Sequence, residues 1–246
     1  MSCSDIATWY LERRLPVIDL ASRTWERARA EVLPPGYGPS VCLRRLVDAR
    51  RIRRLTRGVY QVIDPVRDTP TIAVADALFA DVEHYVTTDA ALAFHRAIDQ
   101  PVVEIVVVAA GSRRPVRVGT TRVRRVALRP QAFLAADAYL TSLDGFRLTV
   151  AAREQAVVDA LGEPSWMTHL TLLPEVLAAL DDDDLARVAD GALRRSTAAA
   201  QRLGFLLDEA QRPAPATLAR LRPRSTVRLD PRVKSGTFST RWRVYG

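Results

Sequence analysis

The chain has 246 residues and is 48% hydrophobic, which is length for one large domain or two small ones and composition enough to build a core. Its formal charge is +8 and its pI about 10.3, with Lys234 the one lysine among 36 basic residues and arginine the rest. Cys3 and Cys42 show no paired spacing, which argues against a disulfide framework and a zinc site, and His84, His95 and His169 fit no metal-binding spacing.

In chain order, residues 4–14 are expected to form a first helix, with Asp5 as its cap and Ile6, Trp9, Tyr10 and Leu11 on its apolar side. DLASRTWERARAEVL over 19–33 reads as a second helix, and PPGYG at 34–38 forces a turn. Pro39-Ser40 opens a third helix to about Arg50, with Cys42, Leu43, Leu46 and Val47 at helical spacing. RIRRLTRGVYQVID then suits two short strands. Thr56-Arg57-Gly58 makes the turn between them, with Gly58 where a positive φ is needed. Three helices followed by a basic hairpin is the order of a winged helix-turn-helix, which lays its third helix in the major groove of DNA while the wing meets backbone or minor groove.

PVRDTP at 65–70 is polar and twice broken by proline, so we expect a DNA-binding domain over 1–65 and a second domain over 70–246. There TIAVADALFADV at 71–82 reads as a helix, HYVTT at 84–88 as a strand and DAALAFHRAI at 89–98 as a helix. VVEIVVVAA at 102–110 is the clearest strand, 116–128 two strands joined at Gly119-Thr120, and FRLTV at 146–150 another. REQAVVDAL at 153–161 is helical and stops at Gly162-Glu163-Pro164. Helix follows helix to Ala210, and TVRLDPRVKSGTFSTRWRVYG closes the chain as a hairpin or a pair of extended segments. The expected fold class is therefore α+β: a winged helix-turn-helix followed by a mixed α/β domain of a small sheet plus a helical bundle.

Charge is unevenly placed. Residues 44–57 hold seven arginines against Asp48 alone, while residues 1–68 as a whole hold 13 against 8 acids, so the excess sits on the third helix and the hairpin. Phosphate binding requires that concentration, because each neutralised phosphate releases counterions. Ser40 or its backbone amide, at the helix start, is placed for a phosphate. Arg44 and Arg45 fall off the apolar face and are candidates for base edges, where a planar guanidinium meets guanine bidentately. Arg53, Arg54 and Arg57 lie along the wing. Two further basic tracts, 111–130 with seven arginines and no acid, and 210–246 with eight arginines and Lys234 against Asp230, suit either a partner surface or a solvated one.

Nothing in the sequence spells a reaction centre. GxSxG, the P-loop and GxGxxG are absent. Asp181 to Asp184 precede LARVADGAL as helix-start acids rather than as a metal cluster. Glu154 and Asp159 fall on opposite sides of one helix, a poor acid/base pair. No cofactor, no metal and no catalytic residue is therefore expected. No apolar stretch reaches bilayer length, and MSCSDIATWYLERR lacks the basic start and apolar run of a signal peptide, so a cytoplasmic protein without membrane contact is expected.

The wing RRLTRGVY (53–60) behind the helix CLRRLV (42–47) resembles the N-terminal domain of AbiEi-type antitoxins, the winged-helix repressors of type IV toxin–antitoxin pairs. TVAAREQAVVDAL-GEPS (149–165) looks like that family's helix-plus-proline element, AQRLGFLLDEA (200–210) like its "rrlGyLL" helix, and STRWRVYG (239–246) like its closing strand with tryptophan. One departure is DARR at 48–51, where such proteins often place a glycine between helix and wing. The resemblance implies a bacterial protein that represses its own operon by binding promoter repeats in double-stranded DNA. It also implies that the C-terminal domain counteracts a cognate nucleotidyltransferase-type toxin, often without a stable complex. By the same resemblance Ser40, Arg44, Arg45, Arg53, Arg54 and Arg57 carry over as DNA contacts. Two other readings stay open: a stand-alone winged-helix regulator whose C-terminal domain dimerises or senses a ligand, and a nucleic-acid enzyme with a catalytic body.

Overall fold

The computed structural model describes residues 3–34, 38–111 and 114–246, and its fold is α+β. Contacts divide the chain into two units: Met1–Val86 with Val107–Ala127 and Leu140–Thr149, and Thr87–Val106 with Leu128–Tyr139 and Val150–Gly246.

The first unit opens with α1 (Cys3–Glu12), β1 (Val17–Asp19), α2 (Arg23–Val32), α3 (Pro39–Asp48), β2 (Ile52–Thr56) and β3 (Val59–Val62). The three strands form an antiparallel sheet in the order β1-β3-β2. This is the element order of a winged helix-turn-helix, with one strand the periodicity did not foretell. VID at 17–19 pairs Val17 with Gln61, Ile18 with Tyr60 and Asp19 with Val59. The second helix consequently starts later than residue 19. Ser22 accepts the Trp25 N–H on its Oγ at 3.1 Å, and this cap sets the true beginning. Asp5 is not a cap either: α1 already begins at Cys3, and the carboxylate sits in the first turn, near the positive end of the helix dipole. The turn expected at 34–38 falls mostly on residues 35–37, outside the described ones.

Ile6, Tyr10, Ile18, Trp25, Ala28, Cys42, Leu43, Leu46, Ile52 and Val62 interlock as the core of this module. Burying a large aliphatic or aromatic side chain contributes about 1.5–3 kcal/mol, so the eight large residues among these hold three short helices that would not persist alone.

The end of α3 explains the missing glycine. Arg50 N–H donates to Val47 C=O and Arg51 N–H to Leu46 C=O, both at 2.9 Å, a Schellman closure that requires a left-handed residue. Arg50 takes it at φ +54°, where a glycine would sit without steric cost. Arg50→Gly is expected to stabilise the chain by about 0.5–1 kcal/mol, read as a higher urea midpoint at unchanged slope.

Beyond the wing follow α4 (Thr71–Ala77), β4 (His84–Thr87), α5 (Thr88–Phe94), β5 (Glu104–Ala109), β6 (Val116–Val118), β7 (Thr121–Val126), α6 (Pro130–Leu134), β8 (Ala138–Leu143) and β9 (Phe146–Ala151). A six-stranded sheet in the order β6-β7-β5-β4-β9-β8 falls largely within the first unit. Its β6–β7 turn uses Gly119 at φ +62°, as expected. Strand β8 was not foreseen, although Asp144-Gly145, at φ +51° and +84°, turns it back into β9 as a mirror-image turn.

Within the first unit His84 is enclosed. Its Nε2 lies 2.9 Å from Asp76 Oδ1 and its Nδ1 2.8 Å from Val82 C=O. Both partners accept, so the doubly protonated ring fits best. Burial works against the charged ring, but the hydrogen bond and charge of Asp76, aided by the Val82 carbonyl, outweigh it and raise the His84 pKa. A raised folded-state value means that the stabilisation is complete below the ordinary imidazole range and is lost as pH climbs through the folded value. Stability is thus expected to fall from about pH 6.5 upward, and His84→Gln to flatten that slope in denaturation curves taken across the window.

The second unit gathers α5 with α7 (Arg153–Gly162), α8 (Leu173–Ala178), α9 (Asp182–Arg195), α10 (Thr197–Glu209) and α11 (Ala216–Ala219). The chain closes with a small sheet of β10 (Val227–Arg228), β11 (Phe238–Ser239) and β12 (Val244–Tyr245), in the order β10-β12-β11. Small residues let the helices approach: a Cβ on Gly191 of α9 would overlap Val158 of α7. Asp181 caps α9, its Oδ1 accepting Asp184 N–H at 2.7 Å, and the buried Asp184 carboxylate pairs with Arg153 and Arg187. The four aspartates therefore serve the helix start.

Candidate nucleic-acid interface

The basic face of the first unit is a consequence of how α3 packs. Cys42, Leu43 and Leu46 point into the core, which turns Ser40, Val41, Arg44, Arg45, Val47 and Asp48 outward. On β2 the burial alternates imperfectly. Ile52 is buried, Arg53 and Arg54 are both exposed, and the register shifts between Arg54 and Thr56. Both arginines stand ahead of that shift, in regular register opposite Gln61 and Tyr60.

Three of the six expected contact residues come together. Ser40 and Arg44 from α3 and Arg54 from the wing line one concavity of about 520 Å³, with Leu20, Pro39, Leu43, Val47 and Tyr60 completing its wall. Arg54 is steadied by its Nε donating to Thr56 C=O at 3.3 Å. The other three stand apart from that concavity. Arg53 donates from Nη2 to Gln61 Oε1 at 2.6 Å and lines a separate groove with Gln61, Arg67 and Gly119. Arg57 is exposed at the wing turn beside Gly58, whose φ is +76°. Arg45 is exposed on the flank of α3. The wall residues Tyr60, Val47 and Leu20 were not among the candidates. Val47 was assigned to the apolar face by its 43/47 spacing, yet it is 38% exposed, since the core stripe follows Cys42, Leu43 and Leu46.

A second polar cluster lies in the other unit and is satisfied from within. Thr87 Oγ1 donates to Asp159 Oδ2 at 2.8 Å. Asp89 accepts the Thr168 and His169 N–H groups at 2.8 and 3.0 Å. Thr88, at φ +52° despite its β-branch, donates to Trp166 C=O at 3.1 Å. These buried groups lock a strand-to-helix corner. Among the described residues, no three or more His, Cys, Asp or Glu side chains gather as a metal-holding group. Among the same residues, no helix is long and apolar enough to cross a membrane.

The three helices and three-stranded sheet that open the first unit, and the helices and small closing sheet of the second, define a two-unit α+β protein whose N-terminal element order is that of a winged helix-turn-helix. Residues 85–209, just over half of the chain, match the model of the AbiEi antitoxin C-terminal domain, and the chain belongs to the AbiEi antitoxin family. Among solved structures it is similar to the RV2827C protein from Mycobacterium tuberculosis, at 17% identity and a TM-score of 0.64, over 98% of this chain and 90% of that one. At that identity the likeness is one of fold. No curated protein matches the chain.

Proposed function

We propose that this chain is a DNA-binding antitoxin that represses its own toxin–antitoxin operon and counteracts a cognate nucleotidyltransferase-type toxin. Residues 1–65 would read promoter repeats and residues 70–246 would act against the toxin, with no catalytic step assigned to either. The observation that carries the DNA half of this reading is the convergence of Ser40, Arg44 and Arg54, from helix and wing, around one concavity. The family carries the antitoxin half. In this reading Arg44 and Arg45 face bases, and Ser40, Arg53, Arg54 and Arg57 hold backbone phosphates.

Two measurements test it. The chain is expected to bind duplex DNA from upstream of its own gene, with log affinity falling linearly in log salt by about 0.9 per phosphate neutralised. Arg53→Ala should weaken all sequences alike and reduce that slope by about one. An affinity insensitive to salt contradicts the interface. In cells, co-expression should relieve the growth arrest caused by a nucleotidyltransferase-like product of the adjacent gene. Promoter binding without any such relief would leave a stand-alone regulator as the better reading.

A further inference from the structure

The second unit contains a basic concavity that the antitoxin reading does not use. Arg222, Arg241 and Arg243 line a groove of about 380 Å³ together with Ala219, Leu221, Pro223, Thr240 and Trp242, and no carboxylate is among the lining residues. The three guanidinium groups come from two stretches nearly twenty residues apart, so the fold assembles them. From this convergence we propose that the groove is a binding site for a small phosphate-chain ligand, a free polyphosphate or the phosphate tail of a nucleotide.

The chemistry of the walls supports that class. Arg222 spends Nη1 on the carbonyls of Ala219 and Leu221, at 3.1 and 3.0 Å, which fixes its head at the groove. Arg243 donates from Nη2 to Thr226 Oγ1 at 3.2 Å. Arg241 pairs with Asp208 Oδ1 at 3.0 Å and stacks over the Trp242 ring, 4.6 Å from its centroid. A guanidinium carries five N–H donors, so these bonds occupy a minority of each group. One pairing carboxylate against three cations leaves the groove a net cation suited to a di- or trianion, which planar arginine forks hold bidentately.

The floor is rigid. Trp242 is 2% exposed, donates from Nε1 to Asp208 Oδ2 at 2.6 Å, and gives its own carbonyl to Gln201 at 2.8 Å. Backbone strain adds an independent sign. Arg243 stands at φ +54° between buried Trp242 and buried Val244, a left-handed setting that glycine would take without steric penalty. An arginine kept there delivers its side chain to the rim of the groove. The volume is near the low end of ligand sites, which run from about 300 to 1,000 Å³, and the indole is buried beneath the floor, so phosphates rather than a stacked base fill the space.

The proposal is independent of DNA binding and is tested on the full chain in phosphate-free buffer, with inorganic tripolyphosphate as the probe. Saturable binding by calorimetry is expected, with a raised Tm. Arg222→Gln and Arg243→Gln should each weaken it about tenfold or more, with circular dichroism unchanged. Arg220→Gln removes the same charge from an exposed position outside the groove and should leave affinity within about twofold. No saturable binding, or an equal loss in Arg220→Gln, overturns the site. So does a pattern in which Arg222→Gln and Arg243→Gln leave tripolyphosphate binding intact and weaken only a DNA duplex.

Discussion

Gly204→Ala is expected to lower stability by about 1–3 kcal/mol, the usual cost of overpacking a core. A methyl group there would overlap the face of the Trp242 indole at Cδ2, Cε3 and Cε2. In a loose core a ring slides away and the strain is shared. Here the indole is bonded through Nε1 to Asp208, its own backbone carbonyl is held by Gln201, and it is almost fully buried. Moving it breaks a bond to a charged acceptor as well as packing, so either outcome is costly. A two-mutation cycle separates close approach from ordinary helix propensity. In a Trp242→Leu background the added methyl finds the space the ring vacated, and Gly204→Ala should then be neutral or favourable, since alanine is the better helix former by about 1 kcal/mol. Equal destabilisation in both backgrounds would show that the glycine serves something other than the tryptophan. Denaturation followed by tryptophan fluorescence gives both numbers.

That contact shows what kind of information a sequence carries. Gly204 in a helix and Trp242 thirty-eight positions later are both conspicuous, but no periodicity joins them; only the closing strand's return over α10 does. Where the signal is local, the reading holds. The Arg57-Gly58 turn, the arginine-bearing face opposite Cys42, Leu43 and Leu46, and the β6–β7 turn at Gly119 are each written within a few residues. Strand β8 is legible too, since Asp-Gly between AYLTSL and FRLTV is a strong hairpin signal. Strand β1 was not legible: three residues, VID, have no period to detect, and they become a strand by meeting Gln61, Tyr60 and Val59 across the module. The candidate interface divides the same way. Helical spacing gives the outward residues of α3, whereas which wing arginine shares the concavity with Arg44 depends on the hairpin register, which sets Arg54 opposite Tyr60 and Arg53 opposite Gln61.

The same geometry separates Arg44 from Arg45, which the sequence treats alike. Arg44 shares a concavity with Ser40 and Arg54, flanked by the half-buried Tyr60 of the wing, while Arg45 lies outside it. If the concavity is where DNA is read, Arg44→Ala should cost about 1–3 kcal/mol of binding to the promoter duplex, the worth of one bidentate guanine contact. That is roughly 5- to 150-fold in Kd, and the preference over unrelated DNA should shrink by the same factor. Arg45→Ala should also lower the preference for the promoter, but by less, as expected of a base contact made from the flank outside the concavity. Lysine tests the mechanism at position 44: Arg44→Lys keeps the charge, and so the salt slope, but not the planar fork, so sequence preference should remain reduced while nonspecific affinity recovers. Anisotropy titrations of the three variants against promoter and scrambled duplexes, at two salt concentrations, decide it. Equal losses on both duplexes for Arg44→Ala would move base reading elsewhere on the helix, to Val41 or Asp48, and leave the concavity a phosphate seat.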